Sequence, residues 1–451
     1  MYIPLSELLT SSARDDDHPV AVLDGQYRSL GEFRADVAGM TAALQDWQVE
    51  NLLLIAEDSY AFIVGFMAGL HRGLNVILPA NSLPATLDRH RGSNALVLTD
   101  MAEIEGEDVM EIRRDQPATP LAPISARDAR ISFFTSGSSG TPSVILKTLS
   151  SLQKEAEVLE AHWGREMDGR ARVLSTVSHQ HLYGLTFKII WSLTCGRPIV
   201  SNNYAFWEPL VEDLHHPCCI VSSPAHLNRF PPGLTVVEEH GPQMVISGAA
   251  RLPFENATEA RELFGVQPSE HFGSTETGVI AWRHQVSETT PWTIFDEITG
   301  GQNADDLLKV RSPFLDDNEW FQLADLVEFV DDKRFFLRGR VDRVVKVDGK
   351  KVSLMEVEAA LVATDWVHDV AVLKLSDQRE SLAAVVKLTE VGQAERDEIG
   401  NFRLGRKLRE RLSVSLDTSS LPRRWRFVDV IPSNPQGKRL KADLEVLFSA
   451  D

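Results

Sequence analysis

A run of small hydroxylated residues and glycines, Thr135, Ser136, Gly137, Ser138, Ser139, Gly140 and Thr141 followed by Pro142, is the sharpest chemical signal in the chain. Glycine admits backbone conformations with positive φ, so main-chain N–H groups can converge on an anion, and the hydroxyls add further donors. Such a loop suits phosphate binding. It lacks both the Gly-Lys-Ser/Thr ending of a P-loop and the glycine spacing of a dinucleotide fingerprint, and a solvated surface loop has the same composition. A second stretch, Phe272, Gly273, Ser274, Thr275, Glu276, Thr277 and Gly278, sets an aromatic ring, hydroxyls and one carboxylate in succession. Those groups suit a ring, a phosphate and a divalent cation in turn, because Mg2+ takes carboxylate oxygen beside substrate phosphates. A plain turn with an exposed Glu276 is the alternative.

Both stretches need elements to hold them. Residues 30–45 carry Leu30, Phe33, Val37, Met40, Ala43 and Leu44 at helical spacing. Residues 51–56 suit a buried strand, 60–72 a helix stopped by Gly73, and 76–78 another strand before Pro79. This alternation predicts a layered α/β domain with mostly parallel strands. Residues 101–126, acidic and then Pro-rich, have the character of a surface connection. A strand over 131–134 leads into the Gly/Ser loop and then a helix ending at Trp163, and apolar runs at 220–221 and 244–246 extend the pattern to about Leu337. Beyond Arg340, strand-like pieces (367–373, 382–388, 426–431) alternate with helix-like ones (354–364, 402–416, 440–448). The expectation is a large α/β domain of layered sheets and helices over 1–340, followed by a small α+β domain over 341–451.

Bulk properties exclude several classes. With 451 residues the chain exceeds what one core usually supports. Its net charge of −19 repels polyanions, so nucleic acid and anionic membrane are disfavoured as partners. Three cysteines without regular spacing suit a reducing compartment. The first residues lack a basic start followed by a long apolar run, and no stretch approaches the ~20 apolar residues of a membrane span, so a cytoplasmic location is expected. The run His215, His216, Pro217, Cys218, Cys219 has the wrong spacing for structural zinc and suits the start of a buried strand entering Ile220.

Taken together, the two chemical stretches resemble the adenylate-forming (AMP-binding) superfamily of acyl- and aryl-CoA synthetases, peptide-synthetase adenylation domains and luciferases. Further segments follow in family order. Trp320 to Asp325 resembles the W-x-x-T-G-D segment. Gly339-Arg340-Val341-Asp342-Arg343, with Lys346 and Gly349, resembles the hinge motif. Pro432 followed by Gly437-Lys438 resembles the carboxy-terminal lysine motif. Val177 to Gly184 resembles the aromatic/His segment of the acyl pocket, and Ser247-Gly248-Ala249-Ala250 the segment between acyl and adenine sites.

The resemblance implies an ATP- and Mg2+-dependent ligase that forms an acyl-AMP and then passes the acyl group to a thiol. That thiol belongs to coenzyme A or to the phosphopantetheine of an acyl carrier protein, and both remain open. It assigns the β- and γ-phosphates of ATP to the 135–141 loop, the adenine to Phe272 and the α-phosphate to Thr275, with Gly273 also in the ATP/AMP site. Glu276 takes Mg2+, Asp325 the ribose hydroxyls and Arg340 ribose or phosphate. The acyl pocket falls to His181, Tyr183, Gly184, Ser247, Gly248 and Ala249. Lys438 becomes the main catalytic residue, Asp342 the hinge of a mobile small domain, and Gly349 the approach of the pantetheine arm.

Two departures from the family pattern stand out. Ser143 occupies the place of the usual loop lysine, so either Lys147 reaches the phosphates or that lysine is dispensed with. Leu323-Ala324 replaces Thr-Gly before Asp325. The segment 179–184 holds no carboxylate to pair an ammonium, so an aryl or fatty acid is expected rather than an α-amino acid. A catalytically degenerate nucleotide-binding or regulatory module of the same fold is the competing reading, motivated by Ser143.

Overall fold

The computed structural model describes residues 1–449 except 80, 84–85, 89–93, 115–119, 136–142, 316–318, 348–349, 376–380 and 434–438. Thr135, Ser143, Asp342, Lys346, Lys350 and Lys351 are described by their backbone. The chain divides into two compact units: residues 1–135, 142–300 and 310–321, and residues 136–141, 301–309 and 322–451.

The first unit contains a sheet with strands in the order Val109–Glu111, Ala95–Thr99, Asn51–Ile55, Asn75–Leu78, Arg130–Thr135 and Ser143–Thr148. Neighbours are parallel up to Arg130–Thr135, and Ser143–Thr148 returns antiparallel to it. The helix Leu30–Ala43 starts with a capping box between Ser29 and Glu32, which satisfies two orphan N–H groups. The helix Ser59–His71 is capped by Asp58 and buried around nearly its whole circumference, as a helix within layers must be. A second sheet in this unit orders Trp292–Ile294, Gly278–Arg283, Ser269–Ser274, Met244–Ser247, Cys218–Ser222, Arg172–Ser175, Ile199–Val200, Pro19–Leu23 and Gln26–Ser29. Its middle is parallel and its two ends are antiparallel hairpins. Cys218 and Cys219 do begin a buried strand.

One strand departs from the sequence expectation. Ser143–Thr148 stands between the Gly/Ser loop and the helix, which itself spans Leu149–Trp163. Its pattern is inverted: Val144 and Leu146 are exposed while Lys147 is buried. The ordinary rule, apolar inward and polar outward, therefore hides it. The strand Val109–Glu111 likewise lies inside the stretch expected to be a connection.

In the second unit, residues 325–329 of the strand Phe321–Phe329 pair antiparallel with the strand Arg334–Arg340. Val367–Leu375, Ser381–Leu388 and Arg424–Phe427 form a three-stranded sheet. Alternate residues of its strands enter two cores: Val370, Val372, Ala384 and Val386 in one, Ala371, Leu373, Ala383 and Val385 in the other. That is the period-two burial of a sheet covered on both faces, by helices that include Leu354–Val362, Asn401–Leu412 and Lys441–Val446. No helix among the described residues is long and apolar enough to cross a membrane.

Candidate active site

The strand Ser269–Ser274 organises the first unit's chemistry. It runs parallel to Met244–Ser247 and turns back into Gly278–Arg283, so Thr275, Glu276 and Thr277 form the tip of a hairpin. The tip holds itself together: Ser274 N–H donates to Thr277 Oγ1 at 3.1 Å, and Thr277 N–H donates to Ser274 Oγ at 3.2 Å. The register shifts between Phe272 and Gly273, and a Cβ at Gly273 would stand 2.1 Å from the Gly278 carbonyl oxygen, so this bulge requires glycine. Two residues before Phe272, Glu270 forms a bidentate ion pair with Arg283 across the hairpin, both contacts 3.0 Å. The Arg283 guanidinium also covers the Trp292 ring at 4.4 Å, and Trp292 lies 5.6 Å from Phe272.

Glu276 lines a concavity of about 290 Å3 with Lys147, Phe314, Glu319 and Trp320. Lys147 donates to the Glu276 main-chain oxygen. Behind the tip, Glu155 is buried and accepts from Val279 N–H at 2.8 Å. Burial raises the Glu155 carboxyl above its usual range, opposed by the Lys147 charge.

Of the expected acyl residues, Tyr183, Ser247 and Gly248 lie at the carboxyl ends of the parallel strands Cys218–Ser222 and Met244–Ser247, where open α/β sheets place ligands. The Tyr183 hydroxyl donates to the Ser222 carbonyl at 2.6 Å and lies 3.3 Å from that of Ile246. Its ring stands 4.5 Å from His271, whose ring stacks on Phe187 at 4.5 Å. Gly248 lies against the same imidazole, since a Cβ there would come within 1.8 Å of His271 Nε2. Ala249 takes a φ of 72°, a left-handed conformation unusual outside glycine. Part of His271 is exposed, yet both of its ring nitrogens are shielded and lack a hydrogen-bond partner among the described residues, as does the Ser247 hydroxyl. Gly184 is buried in the short helix Leu182–Gly184 that carries Tyr183.

A network not expected from the sequence anchors this segment. Lys188 donates to Ser59 Oγ at 2.6 Å, to the Asn202 carbonyl at 2.9 Å and to Asn203 Oδ1 at 2.9 Å. Ser59 Oγ meets His179 Nδ1 at 2.9 Å, and His179 Nε2 meets the Ala56 carbonyl at 2.9 Å. The carbonyl makes Nε2 the protonated nitrogen and Nδ1 the acceptor. Burial drives His179 to about 3, helped by the Lys188 charge, and drives His181 to about 4 and His271 to about 3.

All three imidazoles are therefore neutral near pH 7. Between these values and about 6.5 the unfolded chain binds more protons than the folded one, so stability falls as pH is lowered through that window. For the fully buried His179 the loss approaches about 1.4 kcal/mol per pH unit. Urea midpoints should drop steeply from pH 6.5 to pH 4, and His179→Gln should make that limb shallower. An unchanged slope in the variant would reject the assignment.

In the second unit, Asp325 and Arg340 are register partners of one hairpin, and Arg340 Nη1 donates to Asp325 Oδ2 at 3.0 Å. Asp325 is buried while Arg340 is largely exposed. The backbone of Asp342 follows in the turn Val341–Arg343. Ser136, Gly137, Ser138, Ser139, Gly140, Thr141, Gly349 and Lys438 lie outside the described residues, and Thr135 ends its strand with only its backbone described. Sequence reasoning missed His271, although it immediately precedes Phe272. It also missed Glu155 and the Lys188 network. Lys147 carried a visible signal, a cation closing the apolar run Val144-Ile145-Leu146.

Residues 37–301 match the family model for the AMP-binding enzyme, and the chain belongs to that family. It is 25% identical over 318 residues to a 4-coumarate–CoA ligase of Rhodobacter capsulatus, covering 69% of this chain and 74% of the relative. It is 24% identical over 375 residues to the long-chain-fatty-acid–CoA ligase FadD13 of Mycobacterium tuberculosis, covering 74% and 70%. The fold is that of ATP-bound MatB from Rhodopseudomonas palustris, with a TM-score of 0.82 at 19% identity over 100% of this chain and 99% of that one.

Proposed function

We propose that this chain is an ATP-dependent carboxylic acid ligase, forming acyl-AMP and pyrophosphate and then transferring the acyl group to a thiol of coenzyme A or of a carrier protein's phosphopantetheine. The observation that carries the reading is the strand Ser269–Ser274. It places His271 among Tyr183, Phe187 and Gly248, and four residues after Phe272 it presents Glu276 to a concavity. One hairpin thereby supports an acyl-binding cluster and a polar tip suited to a nucleotide. The acyl cluster is aromatic and carries no carboxylate, which favours an aryl or fatty acid. The names of the two relatives, a coumarate and a long-chain-fatty-acid ligase, agree with that choice.

The substrate acid is ionised at neutral pH, so no general base is needed. Tyr183, with its hydroxyl held by main-chain carbonyls, and His271 border the acyl chain. Thr275 donates toward the α-phosphate, Phe272 covers the adenine, and Asp325 accepts from the ribose hydroxyls. Lys438 stabilises the negative charge that grows as carboxylate attacks phosphorus. Residues 341–451 act as the mobile domain, turning about Asp342 between adenylation and thioester formation.

A resident Mg2+ fits the tip. Among the described residues no group of three or more His, Cys, Asp or Glu could hold a metal by itself, and Mg2+ typically uses one or two carboxylates with substrate phosphates and water. When bound, it neutralises phosphate charge; Glu276 would be its protein ligand. Glu276→Gln should slow acyl-adenylate formation at least about 10-fold, with the loss partly relieved by excess Mg2+. Unaltered activity and Mg2+ dependence would remove Glu276 from the site.

A further inference from the structure

We propose that Lys147 is a positioning residue for Glu276, holding the hairpin tip so that its carboxylate faces a divalent cation carried by a nucleotide triphosphate. This rests on the ligase reading above and goes beyond it. The sequence left two alternatives, that Lys147 reaches the phosphates or that the loop lysine absent at Ser143 is dispensed with. The geometry points to a third arrangement.

Lys147 is 6% exposed on a strand whose neighbouring apolar residues face outward. Lysine is almost never buried without a partner that compensates its charge. Here one N–H of the ammonium is committed to the Glu276 carbonyl oxygen. The tip is gripped again a short step further on, where Glu155, 2% exposed on the helix Leu149–Trp163, accepts from Val279 N–H at 2.8 Å. A Cβ on Gly278 would stand 3.0 Å from that carboxylate, so the helix and the hairpin are in direct contact.

Two buried ionisable side chains, Lys147 and Glu155, from consecutive elements, thus flank a short turn. The lysine is placed on the carbonyl of the residue whose carboxylate is needed, and the Glu155 carboxyl on an N–H just beyond it. Lys147 and Glu276 also line the same concavity. The lysine acts through Glu276, and its charge borders the same concavity that Glu276 lines. Groups arranged in this way gain most from low dielectric and fixed orientation.

The test uses the full-length chain and its Lys147→Met, Lys147→Arg and Lys147→Gln variants. Binding of a non-hydrolysable ATP analogue is measured by calorimetry with and without Mg2+, beside the Mg2+ concentration that half-saturates pyrophosphate release. Lys147→Met should weaken analogue binding about 10-fold in Mg2+ and less than about 2-fold without it, about 1.4 kcal/mol confined to the cation-dependent part. Half-saturating Mg2+ should rise by a similar factor, and Lys147→Arg, which still donates to the carbonyl, should recover binding to within about 3-fold. If Lys147→Met does not fold, Lys147→Gln must show the same cation-specific loss. Equal weakening with and without Mg2+ would mean direct phosphate contact and overturn the proposal, as would an unchanged Mg2+ response in a folded variant. A parent protein that binds the analogue but shows no such dependence on Lys147 sinks this proposal alone. A parent that neither binds the analogue nor releases pyrophosphate sinks the ligase reading with it.

Discussion

If Lys438 has the role proposed for it, Lys438→Ala should slow acyl-adenylate formation by about 100- to 1,000-fold, the effect of removing one positioned donor from a charge that develops in the transition state. The reason is electrostatic. A carboxylate and an α-phosphate repel each other, and their approach concentrates negative charge on the phosphorus oxygens. Water at that point would have to reorganise, whereas an ammonium held there, the role proposed for Lys438, would not. The loss should fall mainly on the rate constant, because ground-state binding of ATP is shared among the adenine, ribose and phosphate contacts. Supplied with preformed acyl-adenylate, the variant should still pass its acyl group to the thiol at close to the parent rate, since no phosphate is then attacked. Single-turnover measurement of the two half-reactions separates these cases. Adenylate formation at the parent rate would end the assignment of Lys438.

The largest effect on stability is expected at the Glu270–Arg283 pair. Their side chains are 2% and 7% exposed and joined by two contacts. Removing one partner leaves the other charge buried and uncompensated, a loss of roughly 3–5 kcal/mol in comparable pairs. Glu270→Ala should therefore lower the urea midpoint strongly. The double change Glu270→Leu with Arg283→Met should cost much less than the two singles combined, because no bare charge remains. Since the pair clamps the hairpin that carries Phe272 and the 275–277 tip, the single variant should also bind ATP weakly even where it remains folded. A Glu270→Ala protein as stable as the parent would show that water reaches Arg283 and that the pair does not secure the hairpin.

Much of the framework could be read from residue pattern. Asn51–Ile55, the helix Ser59–His71 and the strands Val367–Leu375 and Ser381–Leu388 announced themselves because apolar runs or alternation matched burial. The expected strand over 426–431 instead forms at Arg424–Phe427, shifted toward two arginines whose long stems let charged residues occupy a half-buried position. Ser143–Thr148 was hidden because its lysine faces inward and its Val144 and Leu146 outward, a reversal in which the lysine reaches the Glu276 carbonyl and lies near the buried Glu155.

The site divides in the same way. Tyr183, Gly248 and Phe272 entered the candidate site by motif, being local in sequence. That Gly248 admits the imidazole of His271, and that Lys188 reaches Ser59 and through it His179, are contacts between residues far apart in the chain, invisible to any local pattern.

The most direct test of the central claim is pyrophosphate release with ATP, Mg2+ and hydroxylamine over a panel of aryl, fatty and amino acids. Hydroxylamine traps the activated acyl group, so the assay needs no knowledge of the natural thiol. The account predicts turnover with members of the aryl or fatty group and none with α-amino acids. Silence across the whole panel while ATP still binds, or turnover confined to amino acids, would contradict it.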